Sequence, residues 1–192
     1  MLTVRTATPE DAVAIAAIRA ESWQSAYAGI IAADLLARFT SQEAIEQRVD
    51  AMRRNWPTGM LLAEAVRPGA AGSRGGAVKP LSVGFAHFGA ERDPESRVPL
   101  PADQGLGRPR AELYAIYVLP GYWSSGAGRA LMAEVISRAK AAGYPAITLW
   151  VLQENDRARR FYERAGFRVT GQSLALDWLG GIAEVEYARD LA

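Results

Sequence analysis

The chain has no cysteine, and its 192 residues include a single histidine, His87. Without thiols there is no disulfide framework, thiolate metal site, iron-sulfur cluster or cysteine nucleophile, which agrees with a reducing compartment. One histidine excludes two- and three-histidine zinc centres. An excess of charge is missing as well: 22 Lys and Arg stand against 21 Asp and Glu, interspersed along the chain. No broad basic footprint for nucleic acid or an anionic membrane results, so neither partner is expected. Long apolar runs are also absent near the N-terminus. The stretch Ala12 to Ile18 falls far short of the ~20 residues that span a bilayer, and MLTVRTATPEDA contains no signal-peptide core. The expectation is a soluble, cytoplasmic protein. What is present is ordinary globular material, 49% hydrophobic and 22% charged, enough for a sizeable core. The length fits one domain over 1–192.

Leu2 to Ala7 alternates around Val4 and reads as a strand, and Thr8, Pro9, Glu10 and Asp11 form a helix-start signal. Helix one is expected to run to about Trp23. A turn at Tyr27 and Gly29 leads into a short helical piece over Ile30 to Leu36, and a third helix spans about Ser41 to Arg54. Met60 to Val66 and Leu81 to Phe88 have strand length and are expected to form an antiparallel hairpin with a long flexible tip containing Pro68, Gly69, Gly72, Gly75, Gly76 and Pro80. Six of the ten prolines lie between 66 and 110, so residues 89–110 read as a second long loop and the C-terminal half as the ordered part. There, strands are expected at Glu112 to Val118, Ala146 to Leu152, Phe167 to Thr170 and Glu184 to Arg189. Helices fall at Gly126 to Ala142, with Leu131, Val135 and Ala139 on its apolar stripe, and at Asp156 to Ala165, with Ala158, Phe161, Tyr162 and Ala165 in phase. Strands alternating with helices point to an α/β architecture.

Chemistry concentrates at the turn between Val118 and the following helix, PGYWSSGAG. A glycine-rich strand-to-helix turn presents several backbone N–H groups and a positive helix end, so it holds a phosphate without a basic side chain. It is not a Walker loop, because no Lys-Ser/Thr pair follows the glycines, and it lacks the full dinucleotide spacing. Taken alone, the same pattern also fits close helix-sheet packing. Asn155, Ala158, Phe161, Tyr162, Gly166 and Phe167 lie on or around the next helix, whose N-terminus opens at the same sheet end if both crossovers are right-handed.

With ELYAIYVLP before the glycines, these residues resemble the GNAT-type N-acetyltransferase superfamily over about 60 residues, from Glu112 to Thr170. Trp23, Ala26, Tyr27, Gly29 and Ile30 are similar to the helix one to helix two region of many bacterial members. The resemblance implies a mixed, mostly antiparallel sheet with helices on both faces and a V-shaped splay between strands 4 and 5. Acetyl-CoA, the implied co-substrate, lies in that opening. Its binding set is then Ile116, Tyr117 and Val118 on the strand, with Trp123, Ser124, Ser125, Gly126, Ala127, Gly128, Arg129 and Ala130 around the turn. Asn155, Ala158 and Tyr162 complete it from the next helix, Asn155 either touching the pantetheine arm or capping its helix. Family members often begin the phosphate motif with Gln or Arg, where this chain has Trp123.

The implied reaction moves an acetyl group to a primary amine by direct attack, without metal. An amine of pKa ~10.4 is mostly protonated at neutral pH, and supplying its free base costs about 4.6 kcal/mol. Glu112, at the start of the strand, is the candidate general base, and Tyr162 the candidate acid for the departing thiolate. The bland alternatives are a solvated strand-end carboxylate and a packed helix-face tyrosine. His87, on an apolar strand, reads as a hydrogen-bonded core or cleft-edge residue. Trp23, Tyr27, Tyr114 and Trp150 read as core or acceptor-pocket aromatics. Arg157, Arg159, Arg160 and Arg164 read as a helix face from which Arg159 or Arg160 reaches the 3'-phosphate of CoA. Two other functions stay open: a catalytically silent acyl-CoA-binding sensor of the same fold, and a nucleotide-binding protein using the same cradle. The acceptor stands as a small-molecule amine or a protein N-terminus, and a homodimer as an expectation from the family.

Overall fold

Alternating apolar residues at the N-terminus form β1 (Leu2–Thr6), and the start signal after it works through side chains. The backbone N–H of Thr8 donates to Asp11 Oδ2 at 2.8 Å, while Arg5 grips Asp11 at 2.7 Å and Glu64 at 2.9 Å, so strand and helix start are tied together. The computed structural model describes residues 1–66, 80–95, 98 and 109–191. The expected hairpin tip and most of the proline-rich loop lie outside the described residues. α1 (Ala12–Ala26) runs one turn beyond the expected end at Trp23, and the short α2 (Ala33–Phe39) is shifted three residues along. α3 (Gln42–Arg54) begins where Ser41 accepts the N–H of Ala44 at 3.1 Å.

β2 (Met60–Ala65) and β3 (Leu81–Ala90) pair antiparallel, and β4 (Ala111–Val118) pairs antiparallel with β3. The described ends of the 89–110 loop are tied: Glu91 N–H donates to the Arg110 carbonyl at 3.0 Å, and the two side chains form an ion pair. β4 leads into α4 (Ala127–Ala141), then β5 (Ala146–Leu152), α5 (Asp156–Arg164), β6 (Arg168–Leu176) and β7 (Ile182–Asp190). The seven strands form one sheet in the order β1-β2-β3-β4-β5-β7-β6, with β4–β5 the only parallel pair among those described. β6 extends well past Thr170. Gly171, at φ 92°, sits where its register with β7 slips between Val169 and Ser173, and this bulge hides the strand's continuity from the sequence pattern.

One core packs α4 and α5 onto the sheet through fully buried Leu131, Val135, Ala139, Ile147 and Leu149; a second places Ile15, Ile18, Leu62 and Phe85 under α1 on the opposite face. No helix among the described residues is long and apolar enough to cross a membrane.

Two features open the sheet. β4 and β5 pair only from Ala111, Glu112 and Leu113 to Ile147, Thr148 and Leu149, after which they diverge. At the same point the β3–β4 register shifts, with His87 opposite Ala115 and Phe88 opposite Leu113, which leaves Tyr114 as a bulged residue. The bulge resets the alternation. Beyond it Ala115 and Tyr117 pack toward α1, while Ile116 and Val118 pack toward α4.

Candidate active site

The divergence of β4 from β5 opens a cleft of about 890 Å³, walled by β4, β5, the first turns of α4 and α5, and the end of α1. Leu119 N–H donates to Val83 at 2.8 Å, so the ladder alternation turns the main-chain groups of Ile116 and Val118 away from β3 and into the opening. The Val118 carbonyl is already used, by Ser22 Oγ at 3.1 Å and Trp123 Nε1 at 2.8 Å.

At the head of α4 the backbone passes through φ 63° at Ser124 and φ 98° at Gly126. Ala130 is the first residue to close a helical turn, onto the Gly126 carbonyl at 2.9 Å. The N–H groups of Gly128 and Arg129 are therefore left over at the positive helix end, facing the cleft that both residues line. Ser125 stays exposed and is used by the turn itself: its N–H goes to the Tyr122 carbonyl and its Oγ accepts from Ala127 at 3.4 Å. Of the expected binding set, Ile116, Tyr117, Val118, Trp123, Ser124, Gly126, Gly128, Arg129, Asn155, Ala158 and Tyr162 line the cleft. Ser125, Ala127 and Ala130 do not, since Ala127 is fully buried in the core and Ala130 spends its N–H within the helix.

Trp123 is fixed edge and face, its indole N–H on Val118 and the Arg157 guanidinium 4.0 Å above its ring. Thus, although the position carries no charge of its own, α5 brings a cation to it. Asn155 caps α5 by accepting from Ala158 at 3.1 Å, which leaves its amide hydrogens for the cleft. Arg160 lines the cleft, whereas Arg159 is turned away onto Tyr187 Oη at 3.1 Å and the Gln153 carbonyl. Arg129, Arg157, Arg160, Arg164 and Arg189 line the opening together with one described carboxylate, Glu184. A chain of near-zero net charge thus has a strongly cationic cleft.

Tyr162 is buried against Phe161 and Phe167 with access only to the cleft. Burial, with Tyr117 and Glu184 nearby, holds its hydroxyl well above the ordinary phenol range, so it stays protonated as a donor. Tyr27 is raised in the same way, first by burial and then by Tyr117, whose Oη lies 3.3 Å from its own.

Glu112 is not brought to this cleft. Its carboxylate is buried at the closed end of the splay, taking Arg92 Nη2 at 2.6 Å, Arg92 Nε at 3.2 Å and the Arg92 backbone N–H at 2.9 Å. Glu112, the expected base, thus accepts three hydrogen bonds from Arg92 and does not line the cleft. His87, also outside the lining, stands 4.7 Å from Tyr114, and burial followed by the charge of Arg92 brings it down to about 4. Tyr27, Tyr114 and Trp150 do line the cleft, whereas Trp23 is core. Glu184 is the residue that sequence reasoning missed: it was legible only as the first polar position of the last strand, and its exposure to the cleft follows from the pairing of β7 with β5 opposite Leu152.

The Acetyltransferase (GNAT) family model matches residues 36–167, and the chain belongs to that family. It is 30% identical over 155 residues to the uncharacterized N-acetyltransferase YuaI of Bacillus subtilis, a match spanning 81% of this chain and 74% of that one. An uncharacterized N-acetyltransferase of Mycobacterium bovis is 47% identical over 62 residues, 31% of this chain and only 38% of the relative's length. Among solved structures, the PaiA N-acetyltransferase of Thermoplasma acidophilum, in complex with coenzyme A, shares the fold with a TM-score of 0.65 at 19% identity, covering 99% of each chain.

Proposed function

We propose that the protein is an acetyl-CoA-dependent N-acetyltransferase that moves the acetyl group to a primary amine by direct attack. The observation that carries this reading is the meeting, in one cationic cleft, of unpaired strand groups, a helix-end anion cradle and a buried protonated tyrosine. The free N–H groups of Gly128 and Arg129 suit the pyrophosphate, and the cleft arginines suit the remaining phosphate charge. The main-chain groups of Ile116 and the N–H of Val118 suit the amides of a pantetheine arm laid along the open strand edge, as an added strand would lie.

In the reaction the amine nitrogen forms a bond to the thioester carbonyl carbon, and the carbon-sulfur bond breaks. The thiolate takes its proton from the Tyr162 hydroxyl, which its surroundings keep protonated through neutral pH. The proton lost by the amine goes to a base, and we assign that base to Glu184, in the cleft wall within electrostatic reach of Tyr27 and Tyr162. The test is calorimetric titration with acetyl-CoA, CoA, ATP and NAD, followed by thiol release over a panel of amines. Binding of acetyl-CoA and CoA in preference to ATP and NAD, with amine-dependent thiol release, is the expected result. Failure of acetyl-CoA to bind overturns the reading, and binding without turnover of any amine favours the silent sensor.

A further inference from the structure

The main cleft passes through the sheet, and its charge is divided between the two faces. Arg129 comes from α4, and Arg157, Arg160 and Arg164 come from α5. Arg189 lies opposite Ile147, which is buried in the core under α4 and α5, and it donates to the Ala165 carbonyl at the end of α5. All five cleft arginines therefore belong to the face that carries the cradle. Glu184, the one described carboxylate of the lining, lies opposite Leu152, which packs with Trp23 of α1. Directly opposed residues share a face, so this anion stands on the α1 face. Trp150 lies on the same face by the alternation of β5, and Tyr27 and Tyr117 complete the wall from α1 and β4.

What this wall can hold is narrow. Trp23 backs the Tyr27 ring at 5.1 Å and Phe85 backs the Tyr117 ring at 5.6 Å, so both half-buried rings are fixed where they line the cleft. Their hydroxyls lie 3.3 Å apart, one donating to the other, which leaves a single O–H for a ligand. Ser22 spends its proton on the Val118 carbonyl at 3.1 Å. Burial holds the Tyr27 hydroxyl neutral at pH 7, so it adds no second negative charge. Arg92 and Arg19 do not line the cleft: the first is paired with Glu112, and the second stacks on Trp23 at 3.8 Å. Among the described residues of this wall, an acceptor carboxylate thus meets no cation, a second ammonium no second carboxylate, and a polyhydroxylated body few partners. The rings and Leu152 suit a flat apolar body instead. We infer that the acceptor is a primary amine of single charge, on a short chain bearing an aromatic ring and no acid group, which occupies the α1 face of the cleft with its nitrogen toward Glu184.

This substrate class rests on the transferase reading, and the experiment separates the two. Thiol release from acetyl-CoA is compared for phenethylamine, phenylalanine, putrescine and propylamine, which isolate the acid, the second charge and the ring. Wild type is set beside Trp150→Ala, which removes a ring from the wall, and Ala26→Arg, which adds a cation to it. Circular dichroism and acetyl-CoA titration check that both variants are folded. The same four amines are added in thermal unfolding, which reads the subsite without turnover. In wild type, kcat/KM for phenethylamine should exceed that for propylamine by about tenfold and that for phenylalanine by about 100-fold, and phenethylamine should protect most. Trp150→Ala should lower the ratio to propylamine several-fold at unchanged acetyl-CoA affinity, and Ala26→Arg should narrow the ratio to phenylalanine. Phenylalanine or putrescine used as well as phenethylamine overturns the substrate class, as does a ring preference that Trp150→Ala leaves intact. If Trp150→Ala does not fold, the wild-type series and Ala26→Arg decide. Failure of acetyl-CoA to bind removes the transferase reading; preferential protection by phenethylamine then still upholds the subsite, and equal or absent protection overturns it.

Discussion

The two halves of β4 differ in what lies beside them. Over Ala111–Leu113 the strand is paired on both edges, and its one carboxylate, Glu112, is closed in by three donors from Arg92. Beyond the Tyr114 bulge the β5 edge is unpaired, and its polar groups face a cleft. Eight consecutive residues thus provide a fixed anchor and an open binding edge. The lesson is that a strand's partners, more than its residue types, decide whether a polar group is structural or available to a ligand. A glutamate at the strand start reads as catalytic in the sequence, and in the structure Arg92 holds it outside the lining of the cleft.

The largest effect separating the halves is expected at the open end. Tyr162→Phe removes a proton donor but little volume, so kcat should fall by about 100- to 1,000-fold while acetyl-CoA affinity changes little. Burial raises the Tyr162 hydroxyl, so it is protonated at all pH values up to its elevated pKa, and the wild-type profile should show no loss of this acid near neutrality. An equal loss of affinity and turnover would mean that the tyrosine merely packs. At the closed end, Glu112→Gln leaves Arg92 without its counter-charge, and the midpoint of urea unfolding should report about 2 to 4 kcal/mol of lost stability. A stable variant with a displaced acid limb in its pH profile would instead return the base role to Glu112 and break the contrast.

Much of this was legible in the sequence because it rested on local rules. The apolar stripe Leu131, Val135, Ala139 gave α4, Ser41 and Asn155 sit at the caps their side chains favour, and Gly126 adopts the positive φ that glycine allows. The cradle was legible for the same reason, being one contiguous turn. What stayed hidden depends on contacts between distant residues. Arg92 is twenty residues from Glu112, Glu184 reaches the cleft only through the β5–β7 pairing, and Tyr27 meets Tyr117 from ninety residues away. No spacing rule links such pairs. The second half of β6 was missed because the Gly171 bulge interrupts the alternation that marks a strand.

At the junction of the two halves sits His87, opposite Ala115 just past the bulge. Its surroundings favour the neutral imidazole, lowering it from 6.5 to about 4, through burial first and Arg92 second. The unfolded chain therefore binds this proton more readily than the fold does. The contribution is fully present above pH 6.5 and is lost as the pH falls toward 4. Allowing for partial solvent contact, this amounts to about 2 kcal/mol. Between pH 7 and pH 4 wild type should lose that much more stability than His87→Gln in parallel urea titrations. Parallel losses would mean that the junction is wet and that the anchor ends before the bulge.

The smallest expected effect tests whether the cradle acts through shape. A Cβ placed on Gly128 would lie 3.5 Å from Phe161, an ordinary contact, so the apo fold has room for a side chain there. The room is the gap between the first turns of α4 and α5, which the pyrophosphate would use. Gly128→Val should therefore leave the unfolding midpoint nearly unchanged while weakening acetyl-CoA by about tenfold in a calorimetric titration. Gly126 behaves differently: at φ 98° any side chain is strained whatever the space, so Gly126→Ala should lower stability as well as affinity. Affinity lost only together with stability at both positions would mean that the glycines serve the turn and not the ligand. Loss of affinity alone at Gly128 would place the ligand's charged end against the helix terminus, beside the open half of β4.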